Sequence, residues 1–328
     1  MALPVGKGLW PSPSIGPQVE APANAERAEV AELADALHSG CSARQGVEVR
    51  VLSSAPGLIE PRASMDLSFA AVSETDTPSQ IPHPMEMAFL GAGASPRRRR
   101  EFALGRTAAR VALEHLSGKP QPVLRGRRGE PLWPEGVIGS VAHCRADSGS
   151  WAIALVARCS LARAIGVDLE RMGTVRVKEV ADVICCRSEL AWAAGDGDWS
   201  DRLTMLFSAK ESVFKAFYPI CRRFFDFSKV MLIWAPESER FRGRSLAGLG
   251  PELERGHEFD VGCSRVGAFV VTFVVEPAAR QIASLTDDVR VLIQYESHRL
   301  TEAGGVRYPL PLSARAGYDS SRRLHEAG

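Results

Sequence analysis

Two carboxylates in the stretch AIGVDLE could bind a cation. Asp168 and Glu170 lie two positions apart, and because alternate side chains of a β-strand share a face, both would point to the same place. Carboxylates that close repel each other unless a cation lies between them, and Mg²⁺ prefers such oxygen ligands. The alternative interpretation is a strand end that enters solvent.

A second charged pair lies in FSAKESVFKAFYP, residues 207–219. Apolar residues at helical spacing predict a short amphipathic helix that Pro219 ends, because proline cannot extend a helix. Glu211 and Lys215 are four residues apart, so a carboxylate and an ammonium would lie side by side on one helix face. An ordinary surface ion pair is the simpler alternative, and such pairs contribute little to stability.

Basic residues cluster in and after a strong helix pattern, RRRREFALGRTAARVALEHL at 97–116. Arg98, Arg106 and Arg110 are spaced so that their guanidinium groups could project together. A second cluster follows the helix and consists of Arg125, Arg127 and Arg128. Two basic clusters beside one helix favour a phosphate site, although a solvated basic face would give the same pattern.

Apolar stretches predict strands at 137–142, 151–156, 164–169, 230–234 and 267–275. His143 would lie at the end of the first strand, next to a loop, where it could serve a site or only cap the strand. One helix with strands, then a carboxylate-bearing strand, a second helix and more strands, predicts an α/β (α+β) fold of two similar halves.

Together, these side chains have the chemistry of magnesium-assisted phosphoryl transfer. A metal ion held by carboxylates would neutralise developing charge, and the basic side chains would hold phosphates. The chain has no GxxxxGK[ST] loop, so a P-loop nucleotide enzyme is not expected. It also has neither GxGxxG after a strand nor GxSxG.

The composition argues against several other classes of protein. The 328 residues include 40 Lys and Arg and 39 Asp and Glu, a formal net charge of +1, so no global field favours nucleic acid or a membrane surface. Seven cysteines show neither a disulfide pattern nor zinc spacing. No apolar run reaches the roughly 18 residues that a membrane span needs. We therefore expect a cytoplasmic protein that binds neither nucleic acid nor membrane.

The motifs GVDLE at 166–170 and FSAKESVFKA at 207–216 resemble the signature pair of the 4′-phosphopantetheinyl transferases. The stretches RRREFALGRTAAR, GEPLWPEGVIGSVAHC and KAFYPICRRFFDF resemble the siderophore- and polyketide-type members of that family found in actinobacteria. The resemblance covers roughly residues 57–276.

This resemblance implies an enzyme that moves the phosphopantetheine arm of coenzyme A to a serine of an apo acyl- or peptidyl-carrier protein and releases 3′,5′-ADP. It also implies Mg²⁺ or Mn²⁺ as cofactor, and a monomer of two pseudo-symmetric halves with coenzyme A in the cleft between them. The alternatives are a Mg²⁺-dependent phosphohydrolase of a small nucleotide and a non-catalytic protein that binds coenzyme A or a carrier.

The resemblance also implies roles for individual residues. The metal ligands would be Asp168, Glu170 and Glu211. The catalytic residues would be Glu211, which accepts the serine proton directly or through water, and Lys215, which binds a phosphate oxygen. The coenzyme-binding residues would be Arg98, Arg106, Arg125, His143 and Lys215, although any of Arg97–Arg100 could take the place of Arg98. Lys210 would have a structural or coenzyme-edge role.

The carrier protein is expected to be acidic, so it would suit a basic and partly apolar surface. The run 215–227 offers one, with Arg222, Arg223, Phe224 and Phe225. The alternative is that these aromatic rings belong to the core and the arginines form a solvated rim.

The predicted domain boundaries give residues 1–56, 57–163, 164–276 and 277–328. The first part is rich in Pro, Gly, Ala and Ser around one helical candidate at 25–37, and we expect a weakly ordered extension. The two middle parts would be the halves of the transferase. Apolar residues become sparse in the last part, apart from a weak segment at 289–295, so weak order is expected there too.

Overall fold

The computed structural model describes residues 66–74, 83–91, 93–127, 129–146, 149–175, 178–250, 253–279 and 285–302. The elements in chain order are β1 (Leu67–Ser73), α1 (Pro84–Met87), α2 (Pro96–Ser117), β2 (Leu124–Arg125), β3 (Pro131–Leu132), β4 (Val137–Ala146), β5 (Gly149–Arg158), β6 (Ala162–Arg171), α3 (Lys178–Ile184), α4 (Arg187–Ala193), α5 (Trp199–Cys221), β7 (Val230–Ala235), β8 (Arg240–Ser245), β9 (Glu258–Val266), β10 (Phe269–Pro277) and α6 (Thr286–Glu302). The expected extension at 1–56, its helix at 25–37 and Arg128 lie outside the described residues.

The first sheet has the strand order β1–β5–β4. The strands predicted at 137–142 and 151–156 are confirmed, and both are longer because they pair as a hairpin down to Ala146 and Gly149. His143 therefore lies within β4 and not at its end, opposite Ala152 of β5. The prediction that it lies at the end of the strand was wrong for this reason.

The second sheet has the order β6–β10–β9–β8–β7, and every strand pair in the described residues is antiparallel. The fold is thus α+β. Strands β8 and β9 lie between the strands predicted at 230–234 and 267–275, in a segment where no strand was predicted. Gly243 and Gly262 interrupt the apolar alternation by which a strand is recognised in a sequence. In the structure a phenylalanine ring from the neighbouring strand covers each glycine, Phe259 over Gly243 and Phe273 over Gly262.

Helix α2, which the sequence predicted at 97–116, packs on one face of the first sheet. Ser95 caps it by accepting a hydrogen bond from the backbone N–H of Arg98 at 3.2 Å, and Gly118, with φ of 71°, ends it in the left-handed conformation. The fully buried Ala108 and Ala112 let the helix approach the sheet closely.

Helix α5 packs on one face of the second sheet and is longer than the predicted 207–219. It begins at Trp199 after the N-cap Asp198 and ends at Cys221. Pro219 lies in the last turn and does not end the helix, because it removes only the hydrogen bond that its own N–H would have made. The helix ends instead at Arg222, which has φ of 53°.

Strand β6 is buried on both faces and divides two cores. Ile165, Val167 and Leu169 belong to a core that both sheets share. Gly166, Asp168 and Glu170 alternate with them, so they occupy the face that α5 covers. The two sheets meet where β4 lies against β6, and the backbone N–H of Val167 donates to Ser140 Oγ at 3.1 Å.

Helix α6 contradicts the expectation of weak order after residue 277. Leu285, Val289 and Ile293, four residues apart, are buried in the shared core, where α6 packs against β1, β9 and β10. The apolar spacing is helical, but it is too sparse to stand out in the sequence. No helix in the described residues is long and apolar enough to cross a membrane.

Candidate active site

A cavity of about 370 Å³ lies between α2 and α5, above the junction of β4 and β6. All five predicted coenzyme-binding residues line it: Arg98, Arg106, Arg125, His143 and Lys215. Its apolar wall includes Trp133, Ile138, Phe214 and Tyr218. The structure therefore brings together basic groups that the sequence separates by more than a hundred residues.

Arg106 is the most deeply placed cation of this cavity. Its side chain is buried, its guanidinium lies 4.7 Å from the Phe102 ring centroid, and Nη2 donates to the carbonyl of Leu124 at 3.4 Å. The pKa of Arg106 is lowered to about 10, chiefly by burial; the charge of Glu86 opposes this effect, and the charges of Arg125 and Arg98 add to it. Its buried Nε has no hydrogen-bond partner among the described residues. Crowded cations and an unpartnered donor fit an anion.

The structure distinguishes the four consecutive arginines. Only Arg98 lines the cavity. The others bind elsewhere: Arg97 to Glu101 at 2.7 Å, Arg99 to the carbonyls of Ala94 and Gly91 at 3.1 and 3.2 Å, and Arg100 to Glu74 at 3.5 Å. Arg98 is therefore the member of the run that is placed to meet a ligand.

Arg110 does not join the basic cluster, contrary to the prediction from its spacing. It binds Glu86 at 2.5 Å, and Glu86 also accepts the backbone N–H of Val123 at 2.8 Å. Glu86 is fully buried and comes from α1, which the sequence did not predict. Arg127 is exposed and does not line the cavity.

His143 faces a carboxylate that the sequence analysis missed. Its Nε2 lies 3.6 Å from Glu101 Oε2, and the Nε of Arg97 donates to the other oxygen, Oε1, at 2.7 Å. Both Glu101 and His143 line the cavity. The four-residue spacing of Arg97 and Glu101 was the only signal in the sequence.

Against the opposing effect of burial, the charges of all three predicted metal ligands raise the pKa of Lys215. Lys215 Nζ donates to Asp168 Oδ1 at 2.5 Å, so the contact it makes is to the strand and not to Glu211 on its own helix. Burial raises the pKa of Glu170 well above its usual range, and the charge of Asp168 adds to this effect. Burial also raises the pKa of Glu211 to about 7, with Lys215 lowering it and Asp168 raising it.

The donor set fits Mg²⁺ in chemistry. The buried Oδ2 of Asp168 has no hydrogen-bond partner in the described part of the chain. The charge of Asp168 raises the pKa values of both Glu170 and Glu211, and a hard cation would relieve this crowding of carboxylates. No group of three or more His, Cys, Asp or Glu in the described residues is already arranged around a metal position. In this structure the ammonium of Lys215 supplies the neutralising charge.

Hydroxyl groups hold α5 against β10, the strand that pairs with β6 at Asp168. Thr272 of β10 is the register partner of Asp168. Ser208 Oγ lies 2.9 Å from Thr272 Oγ1, and Ser212 Oγ donates to the Thr272 carbonyl at 2.9 Å. These buried contacts fix Glu211 and Lys215, which lie on the same stretch of helix, relative to the carboxylates of β6.

Lys210 has a structural role. It is 1% exposed, and its ammonium binds Glu189 at 2.8 Å and the carbonyls of Phe227 and Val230 at 3.1 and 3.0 Å. These contacts use all three of its N–H donors. Lys210 thus ties α5 to α4 and to the start of β7, away from the cavity.

The aromatic and basic run after α5 divides between core and surface. Phe225 is buried, whereas Phe224 is 49% exposed. Arg223 donates to the carbonyls of Leu249 and Gly248, each at 3.1 Å. Phe214, which lines the cavity, lies with its ring centroid 5.4 Å from that of Phe224. The exposed part of the run is therefore continuous with the cavity wall.

Comparison with known proteins gives two family matches and several relatives. Residues 85–157 match the model of the 4′-phosphopantetheinyl transferase N-terminal domain, and residues 164–258 match that of the 4′-phosphopantetheinyl transferase superfamily. The chain is 42% identical to the 4′-phosphopantetheinyl transferase Svp of Streptomyces mobaraensis over 52% of this chain and 68% of that protein. It is 34% identical to the 4′-phosphopantetheinyl transferase PptT of Mycobacterium tuberculosis over 55% and 76%. It is 36% identical to enterobactin synthase component D of Escherichia coli over 42% and 61%.

Proposed function

The chain belongs to the 4′-phosphopantetheinyl transferase superfamily, in its siderophore and polyketide type, and we propose that it transfers the phosphopantetheine arm of coenzyme A to a serine of an apo acyl- or peptidyl-carrier protein. One observation supports this most directly. A single cavity gathers Arg98, Arg106, Arg125 and His143 beside Lys215, and Lys215 reaches the carboxylate of Asp168.

The basic residues would bind and orient the coenzyme. Arg98, Arg106 and Arg125 hold its phosphates, and the unpartnered Nε of Arg106 gains an acceptor. Lys215 donates to a pyrophosphate oxygen. Asp168, Glu170 and Glu211 would hold Mg²⁺, which when bound supplies positive charge that stabilises the transferring phosphoryl group.

Glu211 would accept the proton of the carrier serine, directly or through one water molecule. The bond from the serine Oγ to phosphorus forms while the bond from phosphorus to the departing 3′,5′-ADP breaks. The buried hydroxyls of Ser208 and Ser212 keep Glu211 in place through their bonds to Thr272.

The substitution Glu211→Gln tests this assignment. We expect the variant to bind coenzyme A measurably but to lose carrier modification, because it can neither accept the proton nor hold the cation as a carboxylate does. The assay incubates the protein with coenzyme A, Mg²⁺ and an apo carrier protein and measures the mass of the added arm. Glu237→Gln, at an exposed surface position, is the matched control.

The same assay separates the proposal from its alternatives. Hydrolysis of coenzyme A without carrier modification would favour a phosphohydrolase. Binding without either reaction would favour a non-catalytic protein. Turnover of Glu211→Gln near that of the unmodified chain would overturn the role of Glu211.

The carrier would dock beside the mouth of the cavity, on the exposed part of the run 215–227. Phe224 and Arg222 offer an apolar and a basic group there, which suits an acidic partner with an apolar contact. The buried Phe225 belongs to the core and takes no part.

A further inference from the structure

The basic end of the cavity contains a carboxylate, which is unexpected in a site for phosphates. Glu101 lies on α2, one turn from both Arg97 and Arg98, and lines the cavity with His143. A negative charge at this position repels an anionic ligand unless it is fully engaged by neighbouring cations.

Two side chains engage Glu101, one on each oxygen. Arg97 Nε donates to Oε1 at 2.7 Å, and His143 Nε2 lies 3.6 Å from Oε2. The Glu101 side chain is 14% exposed, so water screens these contacts little. Burial raises the pKa of Glu101, but hydrogen bonding and charge from His143 and Arg97 lower it to about 2. The carboxylate is therefore ionised at neutral pH.

The three residues link two elements of the cavity. Arg97 and Glu101 are on α2, and His143 is on β4. Arg97 holds one oxygen of the carboxylate, which directs the other oxygen at the imidazole ring. The imidazole ring can turn about the Cα–Cβ and Cβ–Cγ bonds of the side chain, so a fixed partner on Nε2 determines its orientation.

We propose that Glu101 is a positioning residue. It holds the ring of His143 toward the basic end of the cavity and is itself held by Arg97. This rests on the proposed function, because the ligand of the cavity is taken to be coenzyme A. Glu101 does not itself contact the coenzyme. It acts through His143.

Two explanations of Glu101 predict effects of opposite sign. If only total charge mattered, Glu101→Gln would remove a negative charge from an anion site and tighten coenzyme binding. If Glu101 positions His143, the same change weakens binding, because the ring loses a charged partner. Loss of a charge-assisted hydrogen bond corresponds to about a tenfold rise in Kd.

The experiment measures the Kd of coenzyme A by calorimetry on the full chain. We expect Glu101→Gln to raise Kd about tenfold and to raise KM for coenzyme A while leaving kcat at saturation nearly unchanged. In a His143→Ala background, the same substitution should have no further effect, since its target is gone. The Kd of Glu101→Asp, which keeps the charge on a shorter side chain, should lie between that of the unmodified chain and that of Glu101→Gln.

Controls separate positioning from simple loss of structure. Glu114→Gln makes the same chemical change at an exposed position of α2 and should leave Kd unaltered. Unchanged or tighter binding by Glu101→Gln would overturn the inference, as would an equal loss in the His143→Ala background. If the unmodified chain neither binds coenzyme A nor modifies a carrier, the proposed function fails instead. If Glu101→Gln does not fold, the Kd of Glu101→Asp with and without His143→Ala decides in the same way.

Discussion

The buried Lys210 shows how a charged residue in a functional motif can act on stability alone. Glu189, its partner, is also buried, and it accepts the backbone N–H groups of Cys186 and Leu232, each at 2.7 Å. Every oxygen and every ammonium proton of the pair thus has a partner. Such a network fixes the geometry of α4, α5 and β7, because removing one member leaves the other charge buried and uncompensated.

We therefore expect Lys210→Met to lower the free energy of unfolding by about 3–5 kcal/mol. Chemical denaturation measures this, and Lys119→Met, at an exposed position, is the control and should change stability by less than about 0.5 kcal/mol. A loss below about 1 kcal/mol for Lys210→Met would contradict a structural role.

At the residue scale, the acidic partners of the basic side chains could not be predicted from the sequence. Arg98, Arg106, Arg125, His143 and Lys215 line one cavity, and the family resemblance, not their spacing, grouped them; their roles in binding the coenzyme remain a prediction. Glu86, Glu101 and Glu189 occur singly among ordinary polar residues, and each gains its role only from an element distant along the chain. Spacing within one helix carries no information about such contacts.

At the scale of elements, the approach of α5 to β6 depends on one glycine. A Cβ atom on Gly166 would overlap the carbonyl oxygen of Ser212 and lie 2.6 Å from the backbone nitrogen of Ala216. Both are main-chain atoms of a helix, which cannot move aside as a flexible side chain can. Gly166 therefore sets the distance between the helix that carries Glu211 and the strand that carries Asp168.

The substitution Gly166→Ala should push the helix from the strand. We expect a loss of about 1–3 kcal/mol in the free energy of unfolding, typical of overpacking in a core, together with a marked loss of transfer activity. Thermal or chemical denaturation and the carrier assay measure the two effects. Gly248→Ala is the matched control, because a Cβ there meets nothing within 4 Å. Equal behaviour of the two variants would refute the packing argument.

The bounds of helices and strands could be predicted from the sequence only where it contains a clear signal. Helix α2 was predicted almost to the residue, because a serine cap, an apolar stripe and a terminal glycine all agree. Helix α5 was predicted too short, because Pro219 was taken as its end and its first turns overlap the polar stretch GDGDWSD. The glycine-bearing strands β8 and β9 were missed because rings from neighbouring strands replace their own side chains.

At the scale of the whole described structure, the cavity lies between α2 and α5, and the exposed residues after α5 continue from its wall. Arg222 and Arg223, which directly follow α5, are exposed and carry positive charge. Surface charges of this kind govern encounter with a charged partner more than the chemistry that follows.

Changing Arg222 and Arg223 together to Gln should raise KM for the carrier about tenfold without altering kcat or KM for coenzyme A. Steady-state kinetics at low and moderate salt measure this, and the difference should shrink as salt screens the charges. Arg187→Gln with Arg242→Gln removes the same charge from exposed positions of α4 and β8 and serves as control. An unchanged KM for the carrier would place docking elsewhere.

Helix α6 has a consequence for the order of events during synthesis. It packs against β1, so the first and the last elements of the described chain share one core. Leu67 and Ile293 are separated by more than 200 residues, which a ribosome adds in roughly 10–45 s. During that interval the apolar residues of β1 that α6 later contacts are present in the nascent chain without that helix. Chaperones that bind apolar surfaces would therefore meet this protein while it is still attached to the ribosome.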